Sequence, residues 1–90
     1  MKYPIMTLID EIEITASDFD NNKQLHIYVE KWNPNHDDFD YFEMIIPEGK
    51  VLKIHGFSIK ETKRISDHIK NLQEDIIDFI KEKEDERCQV

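Results

Sequence analysis

The chain has 90 residues, of which 39 % are hydrophobic and 36 % charged, and a formal net charge of −8. That length suits one domain with a modest core. The acidic balance excludes sequence-independent nucleic-acid binding, which needs clustered cations to displace counterions. Five Phe, three Tyr and one Trp are too many for a disordered polar tail. No apolar run approaches the roughly 20 residues of a membrane span.

The N-terminal segment, residues 1–9, contains Tyr3, Ile5, Met6, Leu8 and Ile9 and runs into Asp10 and Glu11. It lacks the apolar block of a signal peptide, so the expected location is cytoplasmic, in a bacterium or a phage-infected host. Residues 10–17 alternate, with Ile12, Ile14 and Ala16 set against Glu11, Glu13 and Thr15, the two-residue period of a half-buried strand. Residues 24–32 alternate likewise. Leu25, Ile27 and Val29 share one face, and His26, Tyr28, Glu30 and Trp32 share the other. Asn tolerates positive φ, so Asn21-Asn22 predicts a tight hairpin turn that sets Ile14 opposite Val29 and Ala16 opposite Ile27.

After the loop around Pro34, a third strand is expected over residues 39–46 and a fourth over 50–56. Pro47-Glu48-Gly49 between them suits a bulged three-residue hairpin loop. That register pairs Met44 with Leu52 and Phe42 with Ile54 on one face, and Glu43 with Lys53 and Tyr41 with His55 on the other. Ser58 and Glu61 form a capping-box pattern. Ile65, Ile69, Leu72, Ile76, Phe79 and Ile80 then recur at helical spacing, predicting one helix over about 59–86. The expected fold class is therefore α+β: a four-stranded antiparallel sheet of two hairpins, with one long C-terminal helix packed on one face. The covered face would hold Ile12, Ile14, Leu25, Ile27, Val29, Phe42, Met44, Ile46, Leu52 and Ile54.

Two glycines, Gly49 and Gly56, do not make a phosphate loop or a dinucleotide fingerprint. No serine sits in a nucleophile elbow, and the lone Cys88 makes neither an internal disulfide nor a Cys-rich metal site. It reads as a free thiol on the tail. No catalytic residue, metal ligand or cofactor is assigned. The positive feature is the second sheet face, which by alternation carries His26, Tyr28, Trp32, Phe39, Tyr41, Ile45, Val51 and His55. It is either covered by residues 1–9 or is an interface for a partner or a second copy, with Tyr28, Trp32, Tyr41 and His55 as anchors. His26 and His55 would stand two strand spacings apart, about 9–10 Å, which is wide for a shared ion. On the helix, Lys60, Lys63, Arg64 and Lys70 crowd the first half and acids the second, the reverse of what one macrodipole prefers. Glu74, Asp78 and Glu82 repeat at i+4 as an acidic ridge, either simply solvated or a contact for a basic surface.

Leu25-His26-Ile27-Tyr28-Val29-Glu30, with Gly56-Phe57-Ser58 opening a C-terminal helix, resembles a family of small bacterial domains encoded near toxin–antitoxin genes. Those proteins have a His-x-His-Val-Glu strand and a Gly-Phe-Ser helix start. Tyr28 stands where the second His of that motif falls. The resemblance implies an antitoxin-like interaction protein. The expectation is a non-enzymatic module that binds a protein, one that is itself basic or binds nucleic acid, or that pairs with a second copy, without touching nucleic acid or membrane. Two alternatives are a phage-encoded mimic of nucleic acid that inhibits a defence nuclease, and a metal-dependent or enzymatic module using His26, Glu43 and His55.

Overall fold

A computed structural model describes residues 2–88, with side chains to residue 86; the Cys88 side chain lies outside the described set. The chain folds as five antiparallel strands in simple meander order, followed by two helices. The strands are β1 (Lys2–Leu8), β2 (Ile12–Phe19), β3 (Leu25–Asn33), β4 (Asp38–Ile46) and β5 (Lys50–His55). The helices are α1 (Ile59–Asn71) and α2 (Gln73–Cys88), and a short 3-10 turn, Ile9–Glu11, joins β1 to β2.

The expected four strands are present, and β1 is added at the edge. Tyr3 faces Ala16, Met6 faces Ile14 and Leu8 faces Ile12, with a bulge between Pro4 and Met6. Pro4 suits an edge strand because it withdraws a donor from the ladder. The bulge breaks the two-residue period, so the segment does not read as a strand from its sequence. The pairs Ile14–Val29 and Ala16–Ile27 form as expected. The turn that follows differs. Asp20 brackets it, its N–H donating to the Gln24 carbonyl at 2.9 Å, and the positive φ falls on Lys23 (62°) rather than on an Asn.

The β4–β5 hairpin keeps Tyr41–His55, Phe42–Ile54 and Glu43–Lys53, but Met44 faces Val51 and Ile45 faces Lys50. The loop takes four residues instead of three, closed by the Gly49 N–H donating to the Ile45 carbonyl at 2.7 Å with Gly49 at φ +80°. The added loop residue is taken back by a bulge at Leu52. Val51 consequently packs against the core and Leu52 is exposed, whereas Ile54 keeps its place opposite Phe42 and is nonetheless exposed on this edge strand. Leu52 and Ile54 belong to the core in the sequence expectation, and Val51 to the opposite face.

Ile12, Ile14, Ala16, Leu25, Ile27, Val29, Phe42, Met44 and Ile46 form the sheet side of the core. Phe57, Ile65, Ile69, Ile76 and Ile80 cover them from the helices, with Phe57 edge-on to Phe42 at 5.4 Å. Phe79, expected in the stripe, is exposed. Gly56 (φ +87°) turns the chain from β5 toward α1, and a Cβ there would overlap the Asp40 carboxylate. Ser58 caps α1, its Oγ accepting the Glu61 N–H at 3.1 Å.

The single long helix is in fact two. At Leu72 the backbone leaves helical geometry (φ −103°, ψ 5°), and its N–H reaches both the His68 and Ile69 carbonyls, a tightened last turn. Glycine and proline are both absent there. The charges carry the signal: His68 and Lys70 sit in the last turn of α1, and Glu74 and Asp75 in the first turn of α2. At this junction the charges agree with two macrodipoles, whereas Lys60, Lys63 and Arg64 near the start of α1 and Glu82, Glu84 and Asp85 toward the end of α2 oppose theirs in either arrangement. Lys63 pairs with Asp67 at 2.9 Å, whereas no ion pair joins Lys70 to Glu74 among the described residues.

Ile27→Ala should cost about 2–5 kcal/mol, as large-to-small core changes do. Leu52→Ala should cost about 1 kcal/mol or less, as changes at exposed positions do. Urea unfolding of the two variants checks this, and the reverse order would place Leu52 inside and remove the bulge.

Candidate functional site

Directly opposed residues of an antiparallel pair point to the same face. The face away from the helices is therefore crossed by rows: Thr15–Tyr28–Glu43–Lys53, then Glu13–Glu30–Tyr41–His55, then Trp32–Phe39 at the β3–β4 tip. Because β1 lies beside β2 in the plane of the sheet, it does not cover this face. Trp32, Phe39 and Tyr41 are left 44 %, 45 % and 41 % exposed. Trp32 and Phe39 meet edge to face at 5.1 Å, and His55 stacks on Tyr41 at 5.1 Å. Each pair covers part of its own ring surface and leaves the rest of Trp32, Phe39 and Tyr41 to solvent.

The other end of the same face is built around His26. Its Nδ1 lies 2.5 Å from Glu43 Oε2 and its Nε2 lies 3.0 Å from Asp20 Oδ2. Both ring nitrogens face carboxylates, which suits an imidazolium donating twice. Asp20 also accepts the Asn22 and Gln24 backbone N–H groups through Oδ1, at 2.8 and 2.9 Å. The clamp thus ties β3, β4 and the β2–β3 turn. The hydrogen bond to Glu43, seconded by Asp20, raises the His26 pKa above 6.5 against the opposing effect of burial. The Gln24 N–H, followed by the bond to His26, lowers the Asp20 pKa below 3.8. Beside them Lys2 Nζ rests 4.1 Å above the Tyr28 ring. Burial first, then the Glu43 charge, raises the Tyr28 pKa.

The sequence grouped His26, Glu43 and His55. The structure joins His26 to Glu43 and leaves His55 with Tyr41, on β5 with β4 intervening and four residues further along it. Asp20, the second partner of His26, was not singled out; its place bracketing a hairpin turn two strand positions from His26 was the available signal. Among the described residues no cluster of three or more His, Cys, Asp or Glu is arranged to hold a metal ion. His36, Asp38, Asp40 and His55 do line an open cavity of about 340 Å³ at the end of β4 with Gly56, where Asn33 Nδ2 already donates to Asp40 Oδ2 at 3.2 Å. Glu74, Asp78 and Glu82 are all exposed on α2, away from this face. No helix is long and apolar enough to cross a membrane among the described residues. No known protein family, curated protein or solved structure matches the chain.

The native His26 imidazole should titrate above 6.5 by NMR, and Glu43→Gln should move its midpoint down. A raised folded value makes the clamp's contribution complete below pH 6.5 and lost as pH rises through that value. The lowered Asp20 value adds stability above pH 3.8 that is lost on acidification through it. His26→Gln should therefore flatten the neutral-to-alkaline limb of the stability curve, and an unchanged limb would refute the clamp.

Proposed function

We propose that this protein is a non-enzymatic protein-binding module that docks its partner on the open sheet face. The observation that carries this is the group of half-exposed aromatic rings, Trp32, Phe39 and Tyr41, on a face that no element among the described residues covers. Exposed apolar rings held in fixed pairs, within a polar surround, are the usual anchors of an interface. Tyr28 and His55 extend the same surface. Both sheet edges are unsuited to strand addition. β1 carries Pro4 and a bulge, while β5 carries a bulge, Lys50 and Lys53. Docking on the face, rather than on an edge, follows. An antitoxin or inhibitor role fits a small acidic module of this kind.

A second mode is favoured by one observation: Glu74, Asp78 and Glu82 are exposed at one-turn spacing on α2. Carboxylates so spaced can oppose a basic groove in place of phosphates, as an inhibitor of a nucleic-acid-binding enzyme would require. Affinity capture from the source organism separates the two modes. Loss of the partner with Trp32→Ala, and retention with Asp78→Lys/Glu82→Lys, is the expected result. The opposite pattern would move the site to α2, and recovery of the protein alone would favour self-association. Glu74 is kept in that control because it sits in the first turn of α2, where its charge supports the helix.

A further inference from the structure

We infer that the partner docked on the open face is cationic and seats an arginine head on the Glu13–Glu30–Tyr41 row, beside Trp32. The inference rests on the docking face proposed above and names the chemistry of what occupies it. Glu13 and Glu30 stand directly opposite each other across β2 and β3. Opposed positions of this kind bring Cβ atoms to about 4.5–5.5 Å, where like charges destabilise the pair. Neither carboxylate has an ion-pair partner among the described residues. Tyr41 continues the same row on β4, and Trp32–Phe39 forms the next. A planar guanidinium fits that surface doubly. It can fork to carboxylates while lying on an aromatic ring, which a lysine ammonium does less well. The loops at this end of the sheet add Asp10, Glu11, Asp37 and Asp38, so the field around the rings is negative.

A second copy of the chain fits less well. The cations on the face are Lys50 at its other end, and Lys2 and Lys53, which reach the neighbouring Thr15–Tyr28–Glu43–Lys53 row. Lys2 is engaged over Tyr28, and Lys53 stands in register with Glu43. Packing two such faces about 10 Å apart would bury Glu13 and Glu30 from both copies, with the desolvation cost that unpaired buried carboxylates carry.

The test uses the full chain and three blocked peptides, Arg-Gly-Arg-Gly-Arg and its Lys and Glu counterparts, followed by NMR. The arginine peptide should shift the Trp32 indole and the Glu30 and Tyr41 amides. It should bind several-fold tighter than the lysine peptide, lose affinity with added salt, and leave the glutamate peptide without effect. Glu13→Gln/Glu30→Gln should weaken it about tenfold. The same variant should raise the melting temperature, because the like-charge pair is gone; opposite movements of binding and stability exclude simple misfolding. Shifts confined to Glu74, Asp78 and Glu82 would overturn the inference. So would an equal response to lysine, or concentration-dependent shifts of Trp32 without peptide. A partner captured through Trp32 whose affinity is indifferent to Glu13→Gln/Glu30→Gln would overturn the cationic assignment and leave the docking face standing.

Discussion

The structure depends on burying one face of the sheet. Ile12, Ile14 and Ala16 on β2, Leu25, Ile27 and Val29 on β3, and Phe42, Met44 and Ile46 on β4 are almost wholly removed from water. Each large apolar side chain so buried contributes on the order of 1.5–3 kcal/mol. Two helices supply the cover, α1 packing over β4 and α2 over β2. Their direction is fixed at both ends of the pair. Phe57, edge-on to Phe42, anchors the entry, and the Phe19 N–H donates to Glu84 Oε1 at 3.2 Å near the far end of α2. The break at Leu72 lets Ile65 and Ile69 serve one half of the face and Ile76 and Ile80 the other. Among the described residues no further element is left to cover the second face.

On that second face the charges are handled in two opposite ways. At one end each carboxylate has a donor: Glu43 and Asp20 close on His26, and Asp20 also gathers two backbone N–H groups. At the other end Glu13 and Glu30 oppose each other, beside rings that remain in solvent. The satisfied end stiffens the β2–β3 hairpin. The other end leaves Glu13 and Glu30 without an ion-pair partner among the described residues. A surface fully reconciled with itself has little to offer a partner, whereas one that carries both bare rings and unanswered charge gains on contact.

Much of the fold was legible in the residues. Alternation over Ile12–Ala16 and Leu25–Trp32 fixed which residues face the core, and the Glu43–Lys53 and Tyr41–His55 pairs formed as read. The Ser58 cap formed as well. What failed did so where local geometry departs from strict period. A loop one residue longer than expected, offset by a bulge at Leu52, exchanged the environments of Val51 and Leu52. A bulge after Pro4 hid a strand. At Leu72 the apolar stripe runs on through the break, and only the charge order of His68, Lys70, Glu74 and Asp75 marks it. The aromatic surface was visible as a set of residues, but its exposure was not, because that turned on where residues 1–9 lie. The Glu13–Glu30 opposition is implicit in the β2–β3 hairpin register, which sets Ile14 opposite Val29.

The blunted edges bear on how concentrated this protein can become. A five-stranded sheet with a bare, partly apolar face is at risk of growing strand by strand into a cross-β fibril, since each added chain templates the next. Here growth meets Pro4 and a bulge on one side, and a bulge with Lys50 and Lys53 on the other. Open-ended polymerisation therefore has no flat starting edge. A contact on the open face, unlike one on an edge, closes on itself after one partner, so bare rings there need not seed an insoluble phase.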